Sequence, residues 1–281
     1  MSLNTNALIA HLSVKMLGNA RKDEQLTADV HDRHHMATDA GRYQKCLLPE
    51  ACLSPHRKIV SAARGEHRQL TLMTPLGPLL PASKTAEAMA CIRRYEQSWD
   101  AATRRFIRDY HTNIGIARRK LAAAFDESDY PTLAELPGIF QFTFSLTPLP
   151  RAEMLDEIAG LADAQIHDLR RQLNESTARA AQAARDDLMQ RILFRLGNLS
   201  RCLSNPDARV RERTVESLTE LLDSAAAYNL TNDASITRLV ADCRRELTLA
   251  TEVLREDDTA RRRSATAAQM ILAPYSRKIA A

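Results

Sequence analysis

The fold of this chain is decided by residues 83–124, SKTAEAMACIRRYEQSWDAATRRFIRDYHTNIGIARRKLAAA, which contain no proline and one glycine, Gly115. Apolar side chains recur there at steps of three and four residues, the spacing of one face of an α-helix. They are Ile92, Tyr95, Trp99, Ala102, Phe106, Tyr110, Ile114, Ala117, Leu121 and, just beyond, Phe125. At about 1.5 Å per residue the run predicts a helix of roughly 60 Å. Such a length is typical of a bundle or coiled-coil arm.

An aromatic segment, bracketed by prolines, follows at residues 125–150 and holds five of the chain's thirteen aromatic residues. Phe140, Phe142 and Phe144 alternate with polar residues, which is the period of a β-strand. A second alternation at Leu12–Met16 offers a pairing partner, because a lone strand would leave its backbone groups without hydrogen bonds. The candidate partner-binding surface consists of Tyr130, Phe140, Phe142 and Phe144.

A second long helical run continues from Pro150 to Asn205, and its middle, Asn174–Asp187, is rich in alanine, which allows close approach of another helix. Two long amphipathic helices joined by a compact turn most simply pack antiparallel. Shorter helices are predicted near Ala208–Tyr228, Asp233–Asp257 and Thr259–Leu272. The predicted fold class is mainly α: an elongated antiparallel helical hairpin or coiled-coil bundle with a small two-stranded β element at the hairpin turn.

Three consecutive regions are predicted. Residues 1–82 hold an N-terminal strand and helices, residues 83–204 form the long hairpin, and residues 205–281 form C-terminal helices that pack on the bundle. The stretch Thr74–Pro81 cannot be helical, since its three prolines remove backbone donors and restrict the residues before them.

Composition narrows the classes of protein that the chain can belong to. Apolar residues make up 44% and aromatics 5%, with eight glycines, a balance that favours helices over sheets. No stretch approaches eighteen uncharged apolar residues, so no membrane span is expected, and the N-terminus does not resemble a secretory signal. Five scattered cysteines form neither a disulfide framework nor a CxxC metal clip, which favours a reducing cytoplasm.

Charge is unevenly placed along the chain. Residues 1–125 contain 19 Lys/Arg and 11 Asp/Glu, a balance of +8, and the remainder has 20 against 24, a balance of −4. A basic ridge is predicted on the first long helix, at Arg104, Arg105, Arg108, Arg118, Arg119 and Lys120. Such a ridge can follow a phosphate backbone without reading its sequence. The other interpretation is a solvated helix face that is paired with Asp100, Asp109 and the acidic second half.

Catalytic signatures are absent from the sequence. Neither GxGxxG nor GxxxxGK occurs, and there is no GxSxG elbow and no HExxH pair. His31, His34 and His35 are the best metal candidates, because His31 and His35 are one helical turn apart, but no other segment offers a third ligand. The carboxylates of Asp126, Glu127 and Asp129 are explained by turn chemistry. No catalytic, cofactor or metal site is therefore predicted, and we expect a non-enzymatic protein.

Several short motifs together resemble a helical family of unknown function that is encoded by tailed phages, prophages and integrative elements. The motifs are Gly41-Arg42-Tyr43-Gln44-Lys45, Leu47-Leu48-Pro49, Leu80-Pro81, Phe125-Asp126, Asp129-Tyr130-Pro131, Phe140 and Pro148-Leu149-Pro150. They lie within the first 150 residues, and they are structural landmarks rather than catalytic signatures. Members of this family are often encoded near a MoxR-type ATPase and a von Willebrand-like protein. The resemblance implies an accessory or adaptor role beside such an AAA+ ATPase.

Two functions follow from these observations. The leading hypothesis is a phage- or mobile-element-encoded adaptor or scaffold in the host cytoplasm, which binds a protein partner or another copy of itself. The alternative is a nucleic-acid-associated protein that uses the basic ridge of the first long helix. Salt-sensitive retention on DNA separates the second hypothesis from the first.

Overall fold

The computed structural model describes residues 6–155, 160, 162–247 and 249–275, and within them the chain is mainly helical with a small sheet. The helices are α1 Glu24–His34, α2 Glu50–Leu70, α3 Thr85–Leu121, α4 Leu136–Ile139, α5 Asp163–Ser204, α6 Glu212–Tyr228, α7 Ala234–Glu246, α8 Thr251–Glu256 and α9 Asp258–Leu272. The strands are β1 Ala7–Lys15, β2 Ala20–Lys22, β3 Gln44–Cys46, β4 Leu72–Thr74, β5 Gly77–Pro81 and β6 Gln141–Pro148. Every helix in these residues is too short or too polar to cross a membrane.

The chain forms two compact units, and each is assembled from separate stretches of sequence. The first unit comprises Met1–Ala10, Leu70–Ala86 and Leu146–Ala281, and the second comprises His11–Gln69 and Glu87–Ser145. The three consecutive regions predicted from the sequence do not coincide with these units, because the chain crosses between them several times.

The first unit is built around α5, which packs against α6, α9 and β4. The apolar positions of its second half are buried, with Ile192, Leu196 and Leu199 fully inaccessible to solvent. Ala180 and Ala181 are also fully buried, so the alanine-rich stretch supports close packing in the way that its small side chains predict. The helix ends at Ser204, where Asn205 is extended and Pro206 cannot continue the hydrogen-bonding pattern.

The second unit is built around α3. Its buried residues include Trp99, Phe106 and Tyr110, which lie on the apolar face predicted from their spacing. They pack with Leu53 of α2 and with Phe140. Tyr110 also donates a hydrogen bond of 2.9 Å from its hydroxyl to the Pro131 carbonyl, so the helix holds the aromatic segment by polar as well as apolar contacts.

Within the described residues, four strands form one sheet in the order β4–β5–β1–β6, and β2 pairs with β3 in a second, two-stranded sheet. β1 and β6 are neighbours, which confirms the predicted association of the N-terminal strand with the aromatic strand. The larger sheet has more strands than predicted, because the proline-rich stretch forms the hairpin β4–β5. Its turn uses Gly77 at φ +113°, a conformation that glycine adopts without strain.

The long antiparallel hairpin is not confirmed, and neither is a coiled coil. α3 lies almost entirely in the second unit and α5 lies in the first, so the buried face of each helix is covered by elements of its own unit. α5 also begins at Asp163 rather than near Pro150. Part of the predicted start of this helix, residues 156–159 and 161, lies outside the described residues.

The C-terminal region differs from the prediction in one helix. The run expected at Asp233–Asp257 is divided into α7 and α8, since Leu247 is extended and ends α7. The cap of α7 is Asp233, whose side chain accepts hydrogen bonds from the backbone N–H groups of Ser235 and Ile236.

Candidate functional site

One exposed side of α3 carries a row of arginines that we call the arginine stripe, defined as Arg93, Arg104, Arg108 and Arg119. At 3.6 residues per turn these four positions lie within about 80° of one another around the helix. All four residues are exposed. The buried aromatic face with Trp99 is on the opposite side, so packing of that face directs the arginines to solvent. The stripe extends for about 39 Å along the helix axis.

One carboxylate lies among these arginines, because exposed Asp100 is about 20° from Arg93 and about 40° from Arg104 around the helix. Gln97, His111 and Gly115 fall on the same side of the helix and carry no carboxylate. Asp109 lies about 80° beyond the edge of this side around the helix. Its carboxylate accepts a hydrogen bond of 3.1 Å from Arg108 Nε and is 3.8 Å from Arg105 Nε. Arg93, Arg104 and Arg119 make no ion pair within the described part of the chain, and the four arginines together with Asp100 leave this side of the helix with a net charge of about +3.

The structure divides the six residues of the predicted basic ridge. Arg104, Arg108 and Arg119 lie on the stripe, whereas Lys120 lies well away from it around the helix. Arg118 is engaged locally: its guanidinium is 4.8 Å from the centre of the Phe125 ring and 3.4 Å from the Glu127 carboxylate. The predicted ridge leaves out Arg93, which lies eleven residues before Arg104 but on the same side of the helix.

Three of the four residues of the predicted partner-binding surface, Tyr130, Phe140 and Phe142, pack in or against the core of the second unit. Tyr130 and Phe140 are buried, at 9% and 6% exposure, and Phe142 and Phe144 are half-buried. The Tyr130 hydroxyl donates a 2.7 Å hydrogen bond to the Leu47 carbonyl. The Phe140 ring is 4.9 Å from the Phe106 ring between centroids. Tyr130 and Phe140 therefore do not offer a surface to a partner, because their side chains pack inside the second unit.

The histidine triplet does not assemble as a metal site. His31 is buried, and its Nε2 is 3.0 Å from the Gly41 carbonyl oxygen, so this nitrogen donates a hydrogen bond. His34 and His35 are exposed, and His35 ends α1 in the left-handed conformation at φ 52°. Within the described ranges, no three His, Cys, Asp or Glu side chains are grouped in a way that could hold a metal ion.

The carboxylates at residues 126–129 have structural roles. Asp126 accepts a hydrogen bond from the backbone N–H of Ser128, which lowers the pKa of its carboxyl. Asp129 is buried and lies 2.6 Å from Lys45 Nζ and 3.0 Å from Arg21 Nε. The hydrogen bond to Asp129 raises the pKa of Lys45 despite its burial, so the ammonium stays charged.

The pKa values of the buried thiols and of His56 are shifted away from the range in which these groups would be reactive near neutral pH. Burial, followed by the hydrogen bond to Glu66, raises the pKa of the Cys91 thiol to about 11, and burial raises that of Cys243 to about 12. Burial lowers the pKa of His56 to about 4. A catalytic thiolate or histidine is tuned in the opposite sense, toward the working pH.

Comparison of the chain with family models, curated proteins and solved structures finds no match.

Proposed function

We propose that this chain is a non-enzymatic binding protein whose arginine stripe contacts the phosphate backbone of a nucleic acid. The observation that carries the proposal is the row of Arg93, Arg104 and Arg119 along one exposed side of α3, none of which makes an ion pair among the described residues. Guanidinium groups suit this role because they stay charged and present several donors to phosphate oxygens.

The length of the stripe also favours a polymeric anion over a small one. Its ends are about 39 Å apart, a distance that one phosphate or one nucleotide cannot span. A polynucleotide carries a charge every few ångströms and releases condensed counterions when arginines neutralise its phosphates. The expected interaction is therefore sensitive to salt and indifferent to sequence, since nothing on the stripe is positioned to read base edges.

The test compares two fourfold variants of the whole chain by fluorescence anisotropy with a labelled 30-nucleotide DNA, single- or double-stranded, across a salt series. Replacing Arg93, Arg104, Arg108 and Arg119 by alanine should weaken binding and reduce the slope of log K against log salt by about 3 to 4. The matched control replaces four exposed arginines of the first unit, Arg179, Arg213, Arg262 and Arg263. Equal losses in both variants, or no binding by the unaltered protein at 50 mM salt, would refute the stripe as a nucleic-acid interface.

A second candidate function, the adaptor role, is favoured by a groove of the first unit between α7 and α9. The groove has a volume of about 450 Å³, and Leu239, Ile271 and Tyr275 contribute to its lining. Met270 lies at the same groove and is 72% exposed. Exposed methionine beside aliphatic side chains suits an amphipathic helix of a partner protein.

The resemblance to the phage and integrative-element family supports a AAA+ ATPase of the MoxR type as that partner, with both proteins in the host cytoplasm. The test is co-purification of this chain with a MoxR-type ATPase in 0.5 M salt. The substitution Met270→Glu should abolish capture if the groove is the contact, whereas exposed Met154→Glu, outside the groove, should not. Capture that survives Met270→Glu would exclude the groove.

A further inference from the structure

A groove on α2, in the second unit, has a volume of about 510 Å³ and an unusual lining. Three arginines contribute to it, Arg57, Arg64 and Arg68, together with the hydroxyl-bearing Ser61. These four positions follow at steps of three and four residues and therefore share one side of the helix. Met16, just beyond β1, and Val60 add apolar surface to the same groove.

The charge of this groove is not balanced by its surroundings. No carboxylate lines it, and Arg57 is paired with Glu50. Arg64 and Arg68 are exposed, and they make no ion pair among the residues that the structure describes. They are four residues apart on a helix, where like charges repel each other. An anion between them would turn this repulsion into a pair of charge-assisted hydrogen bonds.

The nearest acidic residue in sequence is held elsewhere. Glu66 accepts a 2.6 Å hydrogen bond from the Cys91 thiol at one carboxylate oxygen and a 2.7 Å hydrogen bond from the Tyr95 hydroxyl at the other. Both donors belong to α3, and Glu66 is about 160° from Arg68 around α2. These contacts and the proximity of Arg94 lower the pKa of Glu66, which keeps it charged and directed toward α3 rather than toward the groove.

We propose that this groove binds a small organic phosphate, with the phosphate between Arg64 and Arg68 and an apolar body against Met16 and Val60. Guanidinium groups bind phosphate in a two-pronged geometry, and the Ser61 hydroxyl adds a further donor. The volume lies within the range of small-molecule sites, and the mixture of apolar lining with a few polar groups is typical of them. The proposal does not depend on nucleic-acid binding, because the groove and the arginine stripe share no residue.

The experiment titrates the full chain with hexyl phosphate, inorganic phosphate and hexanol, each by isothermal calorimetry in 150 mM NaCl. Hexyl phosphate should bind at least about tenfold more tightly than inorganic phosphate, since only it fills both parts of the groove, and hexanol should not bind measurably. Equal affinity for the two phosphates, or no heat with hexyl phosphate at millimolar concentration, would overturn the proposal. Binding to phosphatidate vesicles without binding to free hexyl phosphate would overturn it as well.

Two variants locate the binding. The double substitution Arg64→Ala and Arg68→Ala should weaken hexyl phosphate binding by about a hundredfold, the loss of two charged hydrogen-bonding partners. The control, Arg42→Ala with Lys58→Ala, removes two exposed cations of the same unit that do not line the groove and should leave affinity within about twofold. Similar losses in both pairs would mean general electrostatic attraction and would overturn the assignment.

A third variant blocks the groove without removing a charge. Gly65 lines the groove, and a Cβ added at this residue would meet no atom within 4 Å, so alanine fits here and a longer side chain begins in open space. Gly65→Leu should fold at least as well as the unaltered chain, because leucine is a better helix former than glycine, and should abolish hexyl phosphate binding. Gly65→Ala is the matched control and should retain binding. Full binding by the leucine variant would place the ligand elsewhere.

Discussion

Lys45 Nζ lies 2.6 Å from Asp129 Oδ2, and both side chains are less than 10% exposed. The contact joins β3 to the short turn at Glu127–Asp129, two segments that are 84 residues apart. Asp23, the N-cap of α1, is 3.4 Å from the same ammonium. Lys45 Nζ also donates a 3.0 Å hydrogen bond to the Ala124 carbonyl, so one cation connects the N-terminal part of the second unit to the segment just after α3.

Replacing this lysine should be costly. Lys45→Ala leaves the Asp129 carboxylate buried without its closest cation, and we expect the free energy of unfolding to fall by about 3 kcal/mol. Urea denaturation followed by tryptophan fluorescence measures the change, since Trp99 is buried in the same unit. The control is Lys22→Ala, which removes an exposed pair with Glu24 and should cost less than about 1 kcal/mol. Equal effects would show that burial does not strengthen the Lys45 contact.

The stability of the second unit should depend on pH through His56. This ring is 1% exposed, with its Nε2 3.1 Å from Thr103 Oγ1, and burial lowers its pKa to about 4 from the ordinary 6.5. Because the folded pKa is the lower one, the unfolded chain binds the proton first as pH falls. The free energy of unfolding therefore keeps the full contribution of His56 above about pH 6.5, falls between pH 6.5 and 4, and levels off below pH 4.

The expected loss between pH 7.5 and 5 is about 2 kcal/mol from this group alone. Urea midpoints over that range measure it, and His56→Phe should remove this part of the pH dependence, since the site is already lined by the rings of Trp99, Phe106 and Phe140. His34→Phe, at an exposed histidine, serves as the control and should leave the slope unchanged. A slope that persists in His56→Phe would assign the titration to other groups.

Cysteine accessibility should follow burial. Cys46 is exposed, while Cys91 and Cys243 are buried with pKa values raised to about 11 and about 12. A thiol-reactive dye at pH 8 should label Cys46 first and leave Cys91 and Cys243 unmodified until the protein unfolds. Mass spectrometry of the peptides after timed labelling checks the order, with Cys46→Ala as the control for the fast phase. Early modification of Cys243 would contradict the packing of α7.

Two neighbouring positions on α5 should respond very differently to truncation. Leu196 is fully buried in the core of the first unit, whereas Phe194 is 66% exposed. Leu196→Ala should destabilise this unit by about 2 to 5 kcal/mol, because it removes buried surface and leaves a cavity. Phe194→Ala should change stability by less than about 1 kcal/mol. Calorimetric unfolding of both variants measures the difference, and a larger effect at Phe194 would mean that α5 buries its other face.

Much of the local structure could be predicted because it depends on short-range pattern. The three- and four-residue spacing of Trp99, Phe106 and Tyr110 predicts both α3 and its buried face. Alternation at Phe140–Phe144 predicts β6, and the need to satisfy its backbone predicts β1 as its neighbour. The candidate site could be predicted in part: three of the six ridge arginines lie on the stripe, whereas the α2 groove could not be predicted. Arg64 and Arg68 can be seen in the sequence, but the groove that they line also includes Met16, which lies more than forty residues away.

The sequence by itself thus determined the mainly helical class, the long helix α3 and the aromatic strand, since periodicity sets an element's type and the face that it buries. Only the tertiary structure decided which faces meet. The apolar sides of α3 and α5 are alike in character, and nothing local distinguishes packing against each other from packing in separate units. The tertiary structure also buries the Lys45–Asp129 pair. Neither charge predicts this by itself, because each residue could equally well be exposed to solvent. Apolar contact is non-directional, so the surfaces that pack together are those whose shapes fit best in the folded chain.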